Sequence, residues 1–136
     1  MPTWPEIGVW IHESLTTRTG DADRLCALIN KTTGGDQPVA VHLTAQSSDS
    51  TPPVFLDVAV VSRTRLYGFS LLRSGAVSAV TLGLRQLTFV GVEAQQMVVV
   101  RFVSGGDLVL KFTDVPDREA SLLQFAKTVI GLAWPV

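Results

Sequence analysis

The sequence predicts an α+β domain in which strands form one antiparallel run and helices lie at the two ends. Three observations predict this class. Residues 54–72 (VFLDVAVVSRTRLYGFSLL) set two apolar runs either side of a short polar break, Ser62-Arg63-Thr64-Arg65, the pattern of a β-hairpin with a basic tip. Residues 97–113 repeat that pattern around Ser104-Gly105-Gly106-Asp107, whose glycines allow positive φ. From Asp114 onward the apolar period changes from two to a helical one. Strands in a run, with helices segregated from them, are the mark of α+β architecture.

The elements follow in order. Residues 7–12 (IGVWIH) fit either a short strand or a packed extended arm. Asp21 reads as a helix N-cap. Ala22, Leu25, Cys26, Leu28 and Ile29 then recur at helical spacing, and Gly34-Gly35 supplies the stop, so a short helix is expected over 22–32. Val39, Val41 and Leu43 alternate with Ala40, His42 and Thr44 as in a half-buried strand, which puts His42 toward solvent or a sheet rim. The segment 46–53 (QSSDSTPP) is a polar break. The opening hairpin pairs 54–61 with 66–72, and Arg73-Ser74-Gly75 makes the next turn. Residues 76–94 hold one long bent strand or two strands, with Gly83 and Gly91 as bulge or turn positions. In the second hairpin Val98, Val100 and Phe102 share a face, as do Leu108, Leu110 and Phe112. The last segment has Asp114 as a cap, Pro116 in the first turn, and a stripe of Leu122, Phe125, Ala126, Val129 and Ile130. The count is about six or seven strands, in a curved sheet or a partly open barrel capped by the C-terminal helix, with a short helix before it.

Composition narrows the function classes. The 136 residues suit one domain, divided into an N-terminal arm and helix (1–36) and a sheet with its C-terminal helix (37–131). With 46% hydrophobic and 17% charged residues, the balance is that of a folded core and the opposite of disorder. The net charge of −1 gives no general attraction to nucleic acid or to anionic membranes. Basic side chains concentrate in 54–113, where Arg63, Arg65, Arg73, Arg85, Arg101 and Lys111 stand against three acids, Asp57, Glu93 and Asp107. Cys26 is the single cysteine, which excludes an internal disulfide and a cysteine metal cluster. The first residues lack the basic and apolar regions of a secretory signal, and no stretch approaches the roughly 20 apolar residues of a membrane span. A soluble cytoplasmic protein is expected.

The segment DVAVVSRTRLYGF, followed by further strands and a single last helix, resembles bacterial pleckstrin-homology-like domains. There a strand ends in a Thr/Ser-x-x-Arg-Leu turn that begins the next strand; Ser62, Arg65, Leu66 and Tyr67 match it here. The resemblance covers about residues 37–131. It implies a seven-stranded, partly open barrel with its C-terminal helix plugging one end. It implies no single activity, since that fold hosts lipid binding, peptide binding and scaffolding. Phosphoinositide-binding members carry a Lys/Arg-rich segment across the first two strands. The corresponding loop here, 46–53, has no basic residue and one acid, Asp49, so a phosphoinositide ligand is not expected.

Candidate chemistry is sparse. His12 and His42 lack metal-ligand spacing and a nucleophile partner in sequence. Cys26 sits among apolar neighbours and reads as a small hydrophobe. Asp21 and Asp23 read as cap and first-turn residues. No G-x-S-x-G or phosphate-loop pattern occurs. The basic set Arg63, Arg65 and Arg73, with Tyr67 beside it, is the constellation to test: guanidiniums aligned on one face grip a carboxylate or phosphate bidentately. Trp4, Trp10 and Trp134, near the two ends of the chain, are the second, since aromatic side chains anchor interfaces.

These residues lead to a non-enzymatic binding or scaffolding module that recognises a protein partner or associates with itself. A mean hydropathy of +0.32 supports buried surface beyond one core, as a homo-oligomer supplies. The alternative is a carrier of a small molecule or lipid in an apolar pocket inside the curved sheet. No catalytic residue, cofactor, metal or nucleic-acid partner is expected.

Overall fold

The computed structural model describes residues 2–47, 54–93, 97–103, 106–111 and 116–135. Its elements run α1 (Trp4–Ser14), α2 (Thr19–Thr33), β1 (Pro38–Ser47), β2 (Val54–Ser62), β3 (Arg65–Leu72), β4 (Val77–Gly83), a 3₁₀ turn (Leu84–Gln86), β5 (Leu87–Glu93), β6 (Met97–Phe102), β7 (Asp107–Lys111) and α3 (Pro116–Ala133). This is the expected α+β class, with two N-terminal helices in place of one.

Residues 7–12 are the middle of α1, neither strand nor arm. The Thr3 hydroxyl accepts the Glu6 backbone N–H at 3.3 Å and Pro5 lies in the first turn, both helix-start features. Ile7 and Ile11 then fall one turn apart and are buried, with Leu15 continuing the same face. The second helix starts before Asp21, which occupies its first turn. There its carboxylate meets Arg18 at 3.4 Å and Arg24 more closely. Gly34 ends it at φ 58°, a conformation that costs glycine little.

The strands form two open antiparallel sheets, ordered β1-β2-β3-β4 and β5-β6-β7. The β2–β3 register runs from Val61↔Leu66 to Val54↔Leu72, as the opening hairpin requires. Gly83 marks the break between the sheets, where the 3₁₀ turn redirects the chain; Gly91 lies inside β5. The tip residues 104–105, the segments 48–53 and 112–115 and the Asp114 cap lie outside the described residues. No helix among the described residues is long and apolar enough to cross a membrane.

Two cores lie on opposite faces of the four-stranded sheet. On the inner face Ala59, Val61, Leu66 and Leu82 meet Val98 and Val100 of the second sheet and Leu122, Phe125, Ala126 and Val129 of α3. On the outer face Val58, Val60, Tyr67, Phe69 and Leu71 meet Ile7, Ile11, Leu25 and Ile29 of α1 and α2. Val58, Ala59, Val60 and Val61 are therefore all buried. A strand covered on both sides reads as an unbroken apolar run. The same sandwich corrects two expectations. His42 is 3% exposed and lies beside Phe125, with ring centroids 6.3 Å apart, because the alternate face of β1 is a second interior. Ile130, expected in the buried stripe of α3, is exposed, because it falls to the side of the face on which Val129 and then Leu132 and Ala133 pack.

Candidate functional site

The outer helical layer carries an open apolar groove of about 760 Å³. On α1, the buried face of Ile7 and Ile11 turns into a wall of Gly8, Val9 and His12 one residue further round. Cys26 and Ile29 of α2 form the other wall, and Trp4 closes one end. Gly8 sets the spacing: a Cβ there would lie 3.9 Å from the Cys26 sulfur, in ordinary van der Waals contact. Trp4 is fixed by its indole N–H, which donates to the Asp36 carbonyl at 2.6 Å. Val9 is exposed, a large apolar side chain presented to solvent at the groove.

A row of titratable groups clasps the helices together beside this groove. His12 Nδ1 lies 2.8 Å from the Gly8 carbonyl and His12 Nε2 lies 2.9 Å from Asp23 Oδ1. Hydrogen bonding to Asp23 first, then to the Gly8 carbonyl, raises the imidazole above its ordinary value. With acceptors at both nitrogens, the imidazolium satisfies the site, donating from each. The Cys26 sulfur stands 4.0 Å from Nδ1. Burial pushes its thiol up, and Asp23 adds to that. A nucleophilic cysteine needs a low pKa and a base free to take its proton. Here Nδ1 is engaged by Gly8 and the thiol is held protonated, so the geometry makes a clasp. Asp23, read as a first-turn residue, bridges two helices, a long-range contact without a spacing signature. Among the described residues no cluster of His, Cys, Asp and Glu is arranged to hold a metal ion.

The structure does not bring the basic set together. Arg63 is in the exposed β2–β3 tip, between a hollow of about 540 Å³ beside Arg85 and Pro135 and one of about 400 Å³ beside Asp36 and Pro38. The Arg65 guanidinium acts on the Tyr67 phenol, against the rise that burial causes. Arg73 lies past the other end of β3, about 23 Å away along an eight-residue strand, where its carbonyl accepts from Arg18 at 3.3 Å. Arg73 is thus too far from Arg63 and Arg65 for all three to converge on one anion. Tyr67 is fully buried, and its hydroxyl donates to Asp36 Oδ2 at 2.7 Å. Burial raises the phenol and Asp36 adds to this, while Arg65 opposes it. Its place is therefore in the core.

The tryptophans divide by face. Trp4 and Trp10 pack against the outer core, and Trp134 follows α3 on the inner side, 44% exposed. Of the residues singled out in the sequence as binding candidates, Trp4 alone lines the groove. The Thr3-x-x-Glu6 cap and the four-residue spacing of Ile7, Ile11 and Leu15 are the signals that would have placed the rest of it.

No family model matches the chain, and no curated protein matches it either. Among solved structures the chain is similar to the crystal structure of the C-terminal domain of an unknown protein from Leishmania infantum. The identity is 10% and the TM-score 0.52, over 76% of this chain and 96% of that one. At that identity the likeness is one of fold alone.

Proposed function

We propose that this chain is a non-enzymatic binding or scaffolding module with a pleckstrin-homology-like fold, and that it receives a protein segment in the groove between α1 and α2. The groove is the observation that carries the reading. It is an open, mostly apolar depression of about 760 Å³ between two helices. Among the described residues, seven strands followed by a last helix agree with the element order of the resemblance, here as two open sheets and not a closed barrel. Leu122, Phe125, Ala126 and Val129 of α3 pack into the space between the sheets, which favours surface binding over an enclosed cargo. A cytoplasmic setting, in which the Cys26 thiol stays reduced, fits the same reading.

The occupant that fits is an apolar helical segment with a basic residue. The groove follows α1 from Trp4 to Glu13, about 14 Å or two and a half helical turns. A helix laid into it would bury its apolar stripe against Val9 and the part-exposed Trp4 and Cys26, the helix-in-groove mode. Glu13 lies in the groove wall, where a lysine or arginine of the guest meets an opposite charge.

Peptide display against the full chain tests this, with NMR shift mapping of the selected peptides. Helical peptides with apolar spacing and a basic residue should shift α1 and α2 resonances, and Val9→Glu should weaken them at least tenfold. Peptides that ignore Val9→Glu, or that shift only the β2–β3 tip, would overturn the reading. Displacement of an apolar dye from the groove by fatty acid but by no peptide would support a small-molecule carrier instead.

A further inference from the structure

The two sheets end in four edge strands, and three of them carry a feature that discourages further pairing. The first, β1, begins with Pro38 and has a register shift between Pro38 and Ala40. A register shift between Leu87 and Phe89 and the charge of Glu93 mark β5. Asp107 and Lys111 bracket β7. The fourth, β4, is Val-Ser-Ala-Val-Thr-Leu-Gly, without a charge or a proline. Its register with β3 is unbroken from Leu71↔Val77 to Arg65↔Gly83. Ser78, Ala79, Val80 and Thr81 are all exposed, so both faces of this stretch are open. Among the described residues no strand pairs with its far side.

The phase of the ladder shows which backbone groups face outward. The Leu72 N–H donates to the Ala76 carbonyl at 2.8 Å, and the Leu84 N–H donates to the Thr64 carbonyl at 2.9 Å. Antiparallel bonding alternates along the strand. Ser78, Val80 and Leu82 therefore bond inward to β3, and Val77, Ala79 and Thr81 turn their N–H and C=O groups outward, as does the Gly83 carbonyl; the Gly83 N–H donates to Gln86 Oε1 at 2.7 Å.

We infer that β4 is a self-pairing edge: a second copy of this chain adds its own β4 antiparallel across a twofold axis at Val80, joining the two four-stranded sheets into one. In that register Ala79 of one copy and Thr81 of the other exchange both of their backbone bonds, and the Val77 N–H meets the Gly83 carbonyl, while the Gly83 N–H stays with Gln86 Oε1 at 2.7 Å. The two Val80 side chains meet directly in a non-hydrogen-bonded pair, the closer of the two kinds of antiparallel pair. Neutrality selects a second copy as occupant. A twofold pair sets each strand against its own sequence, so any charge near the axis would meet its like. This strand has none, and it offers no charge to recognise a basic or acidic foreign strand. The surface is separate from the groove, which lies between α1 and α2, so the two inferences stand or fall independently.

Sedimentation velocity on the full chain, from micromolar to near-millimolar concentration, tests the inference, with hydrogen exchange at the two extremes. A monomer–dimer equilibrium is expected, and amides of Val77, Ala79 and Thr81 should gain protection as concentration rises. Ala79→Pro removes only an outward N–H, which edge strands tolerate, and should weaken the dimer at least tenfold. Val80→Lys should do the same by setting like charges together. Val80→Cys combined with Cys26→Ser should form a disulfide-linked dimer under mild oxidation, since directly opposed positions bring the Cα atoms within disulfide range. A monomer at every concentration would overturn the inference. So would a dimer that leaves these amides unprotected, or one in which the Val80→Cys variant fails to cross-link. If a substitution prevents folding, exchange on the unaltered chain still decides.

Discussion

His12 illustrates how much of this protein turns on single contacts between distant residues. Its imidazole is raised by Asp23 and the Gly8 carbonyl. A base raised on folding contributes stability fully below its ordinary value, and that contribution is lost as pH rises through the folded value. NMR titration should therefore place His12 above an ordinary imidazole, and Asp23→Asn should bring it back down. The α1–α2 contact should loosen from acidic toward alkaline pH. The side chains are 43% and 74% exposed, so the change should appear locally in exchange at α1 and scarcely in global unfolding. Gly8 yields an opposite kind of prediction. Glycine inside a helix costs about 0.5–1 kcal/mol relative to alanine, and a Cβ at Gly8 meets only the Cys26 sulfur at 3.9 Å. Gly8→Ala should stabilise the chain by about that amount in urea unfolding, while narrowing the groove. Neither His12 nor Asp23 advertised this contact: they are eleven residues apart with no periodic relation.

Among the elements, α1 is the instructive case. Its residues 7–12 carry Ile, Val, Trp and Ile, a composition that suits a strand. Short apolar runs of that kind do not separate helix from strand by composition. The capping residues Thr3 and Glu6 and the spacing of Ile7, Ile11 and Leu15 do, because one helical face is what the sheet's outer surface can bury. Ile11 is fully buried there, and Ile11→Ala should cost about 2–5 kcal/mol by denaturant unfolding. The hairpins were legible for the opposite reason. Turn residues and period-two patterning are local, and the β2–β3 register follows from them without knowledge of neighbours. His42 went astray by the same local logic. Alternation names two faces of β1, but only the covering layers say whether the second face is wet.

The whole molecule is a layered stack: helices α1 and α2, the four-stranded sheet, then the second sheet with α3. Phe125 ties the inner layers together, packed with Ala59, Leu66, Val98 and Val100. Phe125→Ala should cost about 3–5 kcal/mol, read as a lower urea midpoint, and should loosen both sheets in hydrogen exchange, whereas Ile11→Ala should loosen chiefly the outer layer. The amino-acid sequence by itself determined the α+β class, the hairpins and the last helix, because each rests on patterning over a few residues; it offered Gly83 and Gly91 alike as bulge or turn positions, and the structure breaks the strand at Gly83. Only the tertiary structure decided that α1 and α2 cover the outer face of the four-stranded sheet, that Tyr67 is core, and that a groove and an uncharged edge strand remain open. Those features depend on which surfaces meet, and the burial of one apolar face against another is non-directional; chain topology, not local pattern, selects the partner.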